Sequence, residues 1–170
     1  PEFFYTFRKK IVPKLREHEE IRIWHAGCST GEEVYSMAIL LQEEGLLDKA
    51  KIYATDMNEK VIEKARQGAF SLKRMQAYTK NYLQAGGKAA FSEYYNTDTQ
   101  YAYFHPSLSK NIIFAQHNLV TDGSFNEFHV IICRNVIIYF TMELQEKVFR
   151  LFSDSLSTGG FIGLGNKESL

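Results

Sequence analysis

The feature of this sequence that most constrains its fold is a regular alternation of short apolar segments and amphipathic segments. The apolar stretches IRIWHA (21–26) and KIYATD (51–56) are rich in β-branched and aromatic residues, which is typical of buried strands. After each stretch, apolar residues recur at helical spacing, up to about Glu44 and Gln67, and a glycine follows. This order predicts an α/β fold whose parallel sheet is covered by helices on both faces.

The second half of the chain continues this pattern after an interruption. The segments NIIFAQHNL (111–119) and EFHVIICRNVIIYF (127–140) are predicted to be buried strands, followed by a helix over about 142–156 and a last strand, FIGLG. Before them, an alternating aromatic segment with the turn-like NTDT predicts a β-hairpin. The region of about 70–108 is therefore predicted to be a small β-subdomain, inserted between the second and third strands of the sheet.

The composition is that of a globular domain and argues against several other classes. Of the 170 residues, 45% are hydrophobic and 24% are charged, and 20 basic residues balance 20 acidic ones, so no overall charge attracts nucleic acid or a membrane surface. No apolar run approaches the roughly 20 residues of a membrane span, and we expect a cytoplasmic protein. Cys28 and Cys133 lack CxxC spacing. Because His25, His117 and His129 also lack ligand-like spacing, no metal site is predicted.

Four loop segments are predicted to surround one crevice at the edge of the sheet. In open parallel sheets, ligands bind beyond the carboxyl ends of the strands, where the strand order reverses. This places 26–33, 55–58, 117–120 and 133–136 around a single site, and each segment has small or polar residues directly after an apolar strand. The alternative interpretation is that these are ordinary polar loops at strand ends.

The turn WHAGCSTGEE, which follows the first strand, favours a particular class of ligand. Gly27 and Gly31 are four residues apart, so G-x-G-x-x-G is absent, and no lysine follows Gly31 as a P-loop requires. Glu32 and Glu33 occupy the start of the helix, where free amides would otherwise attract an anion, although Glu32 is best interpreted as simply stabilising the first helical turn. The carboxylates disfavour a pyrophosphate, and with it a nicotinamide oxidoreductase. They favour a phosphate-free, positively charged nucleoside, and S-adenosylmethionine is such a ligand.

Asp56, at the end of the second strand, adds to this interpretation. It lies about 25 residues after Gly31, an offset at which an acidic residue hydrogen-bonds ribose hydroxyls in nucleoside-binding sheets. Its alternative role is an Asx turn ahead of Asn58, which is predicted to cap the next helix. The turn and Asp56 together indicate a nucleoside site.

Three motifs in this chain occur in an order found in one enzyme family. CSTGEEVYSMA, then ATDMNEKVIEKARQGAF, then HNL and FHVIICRNVIIYF closely resemble the chemotaxis receptor glutamate methyltransferases of the CheR type, over most of residues 20–170. The resemblance implies a Rossmann-like class I methyltransferase sheet, with S-adenosylmethionine as cofactor and S-adenosylhomocysteine as product. It also implies methyl esterification of glutamate side chains on the cytoplasmic helical domain of chemoreceptors.

The resemblance also assigns roles to individual residues. The cofactor-binding residues that it implies are Ala26, Gly27, Thr30, Glu33, Asp56, Met57, Asn118, Leu119, Arg134 and Asn135. Glu33 is expected at the methionine end of the cofactor and Asp56 at the ribose. Met57, Asn118 and Leu119 are expected at the adenine. Arg134 and Asn135 are expected near the methyl donor.

Arg134 and Tyr139 are the candidate catalytic residues. A glutamate carboxylate is already ionised at neutral pH, so its attack on a sulfonium methyl needs no general base, and positioning supplies most of the acceleration. Arg134 is expected to orient the incoming carboxylate through charge-assisted hydrogen bonds. Tyr139 is similar to the family's active-site tyrosine and is expected to shape the channel or donate to the same oxygen. The alternatives are a surface ion pair for Arg134 and a core aromatic role for Tyr139.

The chain departs from the family pattern at its ends, and truncation is expected at both. Residues 1–19 are interpreted as a remnant of an N-terminal helical linker, and residues 20–170 as the S-adenosylmethionine-binding domain. The segment Thr6-Phe7-Arg8 imitates a cofactor-contacting segment of the family but lies closer to the STGEE turn, so Arg8 is not assigned to the site. On this interpretation the fragment alone is expected to bind cofactor weakly or not at all.

Two other functions are compatible with the sequence. One is a non-catalytic module of the same fold that binds cofactor or receptors, and the other is a methyltransferase that acts on RNA, DNA or a small molecule. A nucleic-acid enzyme should show a basic face, and the aromatic segment 94–104 contains no lysine or arginine, so no nucleic-acid partner is expected. Membrane insertion is not expected either. In some CheR-type enzymes the β-subdomain, here about 91–105, docks a receptor peptide by strand addition.

Overall fold

Two β-sheets and the helices around them make up the fold. The computed structural model describes residues 2–134 and 136–165. The strands are β1 (Ile21–Ala26), β2 (Ala50–Asp56), β3 (Ala69–Ser71), β4 (Tyr95–Thr97), β5 (Tyr101–Phe104), β6 (Ile112–Gln116), β7 (Phe128–Cys133) and β8 (Leu156–Leu164). The α-helices are α1 (Glu2–Thr6), α2 (Val12–Leu15), α3 (Glu32–Glu43), α4 (Glu59–Gln67), α5 (Leu72–Gln84), α6 (Pro106–Ser109) and α7 (Met142–Ser155). A π-helical turn, Phe7–Ile11, joins α1 to α2, and 3-10 turns occur at Leu47–Lys49, Phe91–Tyr94 and Ile137–Tyr139.

The large sheet is parallel, with the strand order β6-β2-β1-β7-β8. The chain builds outward from β1 through β2 to β6 and then returns to β7 on the other side of β1, so the order reverses between β1 and β7. The predicted parallel α/β sheet is confirmed. Among the helices of the described residues, none has both the length and the apolar character needed to cross a bilayer.

The two faces of the large sheet pack into two separate cores. Alternate residues of β1 point to opposite faces: Ile21 and Ile23 join a cluster with the apolar residues of α3, whereas Trp24 joins a cluster with Val148 and Phe152 of α7. All five of these side chains are fully buried. The sheet is therefore covered on both faces, which holds the carboxyl ends of its strands in fixed positions.

Two of the predicted strands are shorter in the structure than the sequence suggested. The predicted strand 127–140 ends at Cys133, where the pairing with β8 also ends, and its last part forms the 3-10 turn Ile137–Tyr139. The predicted strand 111–119 ends at Gln116, because the side chain of Asn118 accepts hydrogen bonds from the amides of Val120 (2.9 Å) and Thr121 (3.3 Å) and so forms a turn. In both places, apolar residues that favour a strand lie beyond the last residue that has a strand partner.

The smaller sheet is antiparallel and has the order β3-β5-β4. It confirms the predicted hairpin, which is closed by Asp98: its carboxylate accepts hydrogen bonds from the amides of Gln100 (2.8 Å) and Tyr101 (2.7 Å). Strand β3 was not predicted, since three residues are too few to show an alternating pattern. In chain order this sheet lies between β2 and β6.

A buried carboxylate, Glu43, joins the N-terminal helical segment to the rest of the protein. It accepts hydrogen bonds from Arg8 (3.1 Å), from the Tyr94 hydroxyl (2.7 Å), from the Lys88 amide (3.2 Å) and from the Tyr82 hydroxyl. The side chains of Arg8 and Glu43 are only 7% and 4% exposed. Arg8 therefore has a structural ion pair.

Acidification is expected to remove the stability that Glu43 contributes. Burial by itself raises the pKa of Glu43, but the hydrogen bonds from Tyr82, Tyr94, Lys88 and Arg8 outweigh burial and lower the pKa below its usual value of 4.5. A carboxyl group with a lowered pKa in the folded state contributes its full stabilisation above that usual value, and loses it as the pH falls through the lowered pKa. In urea unfolding, we expect the stability gap between the wild type and Glu43→Gln to be constant near neutral pH and to narrow below about pH 4.5. A gap that is the same at pH 3 and pH 7 would contradict this role for the Glu43 charge.

Candidate functional site

The carboxyl ends of β1 and β7, together with the start of α3, enclose a crevice. Its volume is about 260 Å³. The residues that line it are His25, Ala26, Gly27, Cys28, Ser29, Glu32, Glu33, Ile132 and Arg134. The structure therefore brings together four residues that the sequence assigned to one site: Ala26, Gly27, Glu33 and Arg134.

Left-handed backbone shapes the turn between β1 and α3. Gly27, Ser29 and Gly31 have φ values of 71°, 53° and 94°. At Gly27 the fit is also tight, because a Cβ atom there would lie 2.6 Å from Cγ2 of Val136. The turn is fixed to the neighbouring strand by the Cys28 amide, which donates to the Thr55 carbonyl at 2.8 Å. The backbone is thus held in a conformation that larger residues would not permit at Gly27.

Asp56 connects the same turn to the start of α4. One of its carboxylate oxygens accepts a hydrogen bond from the Ser29 amide and the other from the Asn58 amide, both at 3.0 Å. Asn58 caps α4 through the amides of Lys60 and Val61, as predicted. The Asx turn that was the alternative role of Asp56 is present. It does not preclude ligand binding, because a carboxylate oxygen accepts more than one hydrogen bond and Asp56 is partly exposed.

The residues expected at the adenine lie together beside Asp56, at the ends of β2 and β6. The Met57 carbonyl accepts a hydrogen bond from Gln116 at 3.0 Å, and the side-chain amide of Asn118 lies 3.6 Å from the Met57 sulfur. Met57 is 64% exposed, whereas Leu119 is buried. This arrangement provides an exposed apolar side chain next to a polar amide, which suits one face and one edge of a planar base.

Arg134 and Glu33 form an ion pair with a distance of 3.1 Å. The Arg134 side chain is only 20% exposed, and its guanidinium also lies over the ring of Phe3, 4.6 Å from the centroid. The ion pair that was the alternative role of Arg134 is therefore present, but its partner is itself a predicted site residue. The two residues are held at the crevice together.

Glu32 has a structural arrangement of its own. It accepts a hydrogen bond from the Thr30 hydroxyl at 2.5 Å and one from the Tyr78 hydroxyl at 3.3 Å, and it forms an ion pair with Arg74 at 3.5 Å. These contacts tie α5 to the turn. Thr30 lines a different cavity, of about 480 Å³, with residues of α4, α5 and β5. Thr30 is not among the residues that line the crevice, although it hydrogen-bonds Glu32, which is one of them.

Tyr139 lies on the 3-10 turn after β7 and is 82% exposed. Its alternative role as a core aromatic is therefore wrong. Within the described part of the chain, the residues that line the crevice do not include Tyr139, so its catalytic role stays a prediction. Asn135 lies outside the described residues.

Burial and nearby carboxylates both affect the thiol of Cys28 in the crevice. Burial raises the pKa of this thiol to about 12, and the negative charges of Asp56 and Glu32 act in the same direction. A thiol in this state is protonated at neutral pH and is a poor nucleophile. The same negative field disfavours an anionic ligand and favours a cationic one.

His25 is a crevice residue that the sequence considered only as a possible metal ligand. It is 2% exposed, and burial lowers its pKa to about 3, so the imidazole is neutral. Its Nε2 atom is buried and has no hydrogen-bond partner among the described residues. Across those residues, no group of three or more His, Cys, Asp or Glu side chains is arranged to hold a metal ion. The signal for a site role was the position of His25 directly before the turn.

Similarity to known proteins agrees with the geometry of this site. The family model described as "CheR methyltransferase, SAM binding domain" matches residues 1–170. Cher3 of Pseudomonas putida is 49% identical over the whole chain, which spans 62% of that relative. A chemotaxis protein methyltransferase of Listeria innocua is 34% identical over 97% of the chain, which spans 61% of that relative. The chain thus covers about three fifths of the length of these curated relatives.

Solved structures with low sequence identity share the fold. The structure of PKMT2 from Rickettsia typhi in complex with AdoHcy matches 95% of this chain with a TM-score of 0.56 and 16% identity, and the match spans 25% of that protein. The glycopeptide N-methyltransferase MtfA complexed with sinefungin matches 93% of the chain with a TM-score of 0.54 and 9% identity, over 48% of its own length. The predicted Rossmann-like methyltransferase fold is confirmed.

Proposed function

This chain belongs to the CheR methyltransferase family through its S-adenosylmethionine-binding domain, and from that premise we propose that it methylates glutamate side chains of chemotaxis receptors. The cofactor is S-adenosylmethionine, and the acceptor lies on the cytoplasmic helical domain of the receptor. We further propose that residues 20–170 carry the cofactor site, that the region of about 70–108 is an inserted subdomain, and that residues 1–19 belong to a preceding helical segment.

The observation that carries this proposal is the charge of the crevice at the carboxyl ends of the strands. Glu32 and Glu33 line it, no lysine is among its lining residues in the described part of the chain, and its only lining arginine is paired with Glu33. This set of side chains fits the ammonium and sulfonium groups of S-adenosylmethionine and opposes a pyrophosphate. Asp56, fixed beside the turn by two backbone amides, would accept hydrogen bonds from a ribose.

The remaining cofactor contacts follow from the placement of the predicted residues. Glu33 would hold the ammonium of the methionine end, and Asp56 the ribose hydroxyls. Met57 would cover one face of the adenine, and Asn118 would hydrogen-bond its edge above the buried Leu119. The backbone of Ala26 and Gly27 would line the turn against the methionine chain. S-adenosylmethionine supplies an electrophilic methyl group on a sulfonium.

Methyl transfer requires the protein to position the acceptor carboxylate and the sulfonium and to exclude water from them. With S-adenosylmethionine bound, a carboxylate oxygen of the acceptor would take the methyl group from the sulfonium, and the electron pair of the broken carbon–sulfur bond would stay on sulfur. The negative carboxylate and the positive sulfonium become a neutral ester and a neutral thioether, so no proton moves and no base is needed. Because charge disappears along this path, a crevice that hydrates the two ions poorly accelerates the reaction.

Arg134 is the residue that we propose to orient the acceptor. It is held at the crevice by Glu33, and binding of the cofactor ammonium at Glu33 would weaken that ion pair and leave the guanidinium free for the incoming carboxylate. Tyr139 stands exposed on the next turn, where a docking receptor would cover it. We propose that it then lines the channel for the acceptor glutamate.

The experiment that tests this function measures methyl transfer to a receptor. The full-length protein is incubated with methyl-labelled S-adenosylmethionine and the cytoplasmic fragment of a chemoreceptor, and the label is then treated with mild base. Base-labile label on the receptor is the expected result, since carboxyl methyl esters hydrolyse in base. Base-stable label would indicate a different acceptor group. Binding of S-adenosylhomocysteine without any transfer would indicate a non-catalytic module.

Substituting Gly27 is expected to weaken both the cofactor site and the fold. Gly27→Ala places a Cβ at positive φ and 2.6 Å from the Val136 side chain, so the turn must move. We expect a loss of about 1–3 kcal/mol in the free energy of unfolding and at least a roughly tenfold weaker binding of S-adenosylhomocysteine in calorimetry. Gly45→Ala is the matched control, because Gly45 also has a positive φ (73°) but has no atom near its Cβ position. Unchanged affinity in Gly27→Ala would contradict the assignment of the turn.

A further inference from the structure

The buried imidazole of His25 is the polar group in the crevice that the proposed chemistry does not use. Its neighbours along the sheet are Ala54 on β2 and Ile132 on β7, which offer no side-chain hydrogen bond. Its Nε2 atom has no partner within the described part of the chain, and the residue lines the crevice beside Glu33 and Arg134. A buried polar atom without a partner is uncommon in folded proteins, and here it belongs to a residue that lines a crevice, which points to a ligand group.

The charge state of His25 limits what this ligand group can be. Because burial keeps the imidazole neutral at physiological pH, Nε2 either donates or accepts one hydrogen bond, depending on the tautomer. The crevice already contains acceptors for a cationic group, since Glu32 and Glu33 both line it. Among the side-chain donors at the crevice, Arg134 pairs with Glu33 at 3.1 Å and is assigned above to the acceptor carboxylate, although its Nε atom has no partner among the described residues. A zwitterionic ligand that binds Glu33 through its ammonium also presents a carboxylate, and the imidazole of His25 offers a neutral donor for it.

We propose that His25 donates a hydrogen bond from Nε2–H to the carboxylate of the cofactor's amino-acid moiety. This inference rests on the proposed function and extends it, because it makes His25 a specificity residue for the amino-acid end of S-adenosylmethionine. Glu33 then binds the ammonium and His25 the carboxylate of the same group. A neutral donor suits this position, because a cationic side chain at residue 25 would form an ion pair with Glu33 and would not be available to the ligand.

Calorimetry with two ligands tests the assignment. The full-length protein and His25→Leu are each titrated with S-adenosylhomocysteine and with its decarboxylated analogue, which keeps the ammonium. We expect His25→Leu to bind S-adenosylhomocysteine about tenfold more weakly, as loss of one hydrogen bond to a charged group implies, and to bind the analogue within about twofold of the wild type. His25→Gln, which keeps a side-chain donor, should recover part of the loss.

A histidine outside the crevice provides the control for His25. His18→Leu removes an exposed histidine whose ring lies 4.4 Å from that of His129, away from the crevice, and should leave both affinities unchanged. Equal affinity of the wild type and His25→Leu for S-adenosylhomocysteine overturns the proposal, as does an equal loss for both ligands. A change only in the KM for the receptor would assign Nε2 to the acceptor carboxylate and also overturn it. If the wild type binds neither ligand, the proposed function itself fails, and the inference fails with it.

Discussion

Replacing Glu43 by alanine is expected to destabilise the protein by about 3–5 kcal/mol, which is the usual consequence of breaking a buried ion pair by removing one partner. The variant leaves Arg8 with its side chain 7% exposed and with only the weaker contact to Glu44, at 3.6 Å. It also leaves the hydroxyls of Tyr82 and Tyr94 without the acceptor that they share. Urea unfolding at pH 7 measures the effect.

Two comparison variants distinguish the effect of losing the Glu43 network from the effect of losing any glutamate. Glu17→Ala removes an exposed glutamate near the same helical segment and is expected to change stability by less than about 0.5 kcal/mol. Arg8→Met is expected to destabilise less than Glu43→Ala, because Glu43 keeps its hydrogen bonds from Tyr82, Tyr94 and Lys88. A Glu43→Ala protein as stable as Glu17→Ala would show that the network contributes nothing to the fold.

Replacing Asp56 by alanine is expected to weaken binding of S-adenosylhomocysteine by roughly 10- to 100-fold. The carboxylate is the proposed acceptor for the ribose hydroxyls, and a hydrogen bond to a charged group is worth about 1.5–3 kcal/mol. The same carboxylate orients the turn through the Ser29 amide and the entry to α4 through the Asn58 amide. Calorimetry on the full-length variant measures the loss of affinity.

A second acidic residue provides the control for Asp56. Asp154→Ala removes an exposed carboxylate in the last turn of α7, on the opposite face of the sheet from α3. Its affinity for S-adenosylhomocysteine should match that of the wild type. If Asp56→Ala also matches the wild type, Asp56 has only its Asx-turn role, and the nucleoside must be held elsewhere.

The parallel sheet was predictable because its central strands, β1 and β7, are buried almost throughout and are therefore mostly apolar. For the same reason, the ends of those strands were not predictable. The run FHVIICRNVIIYF is apolar almost throughout, yet the strand stops at Cys133, and only the loss of its partner β8 marks that end. Ile137 is buried in the 3-10 turn that follows, so its apolar character serves packing instead of strand pairing.

Site residues that belong to one local sequence motif were predictable. Contacts between side chains that are far apart in the sequence were less so. Glu33 and Asp56 could be located because Asp56 ends the second strand and Glu33 lies in the first turn of the helix after the first strand. The ion pair between Glu33 and Arg134, 101 positions apart, depends on β1 and β7 being neighbours. The unpartnered Nε2 atom of His25 is likewise a property of three-dimensional burial. Sequence spacing contains no information about either.

A structure of the full-length protein with S-adenosylhomocysteine tests the central claim most directly. The account predicts the ribose hydroxyls at the carboxylate of Asp56 and the amino-acid moiety in the crevice lined by Glu33. An adenosyl group bound at any other place, with the Glu33 crevice empty of ligand, would contradict it.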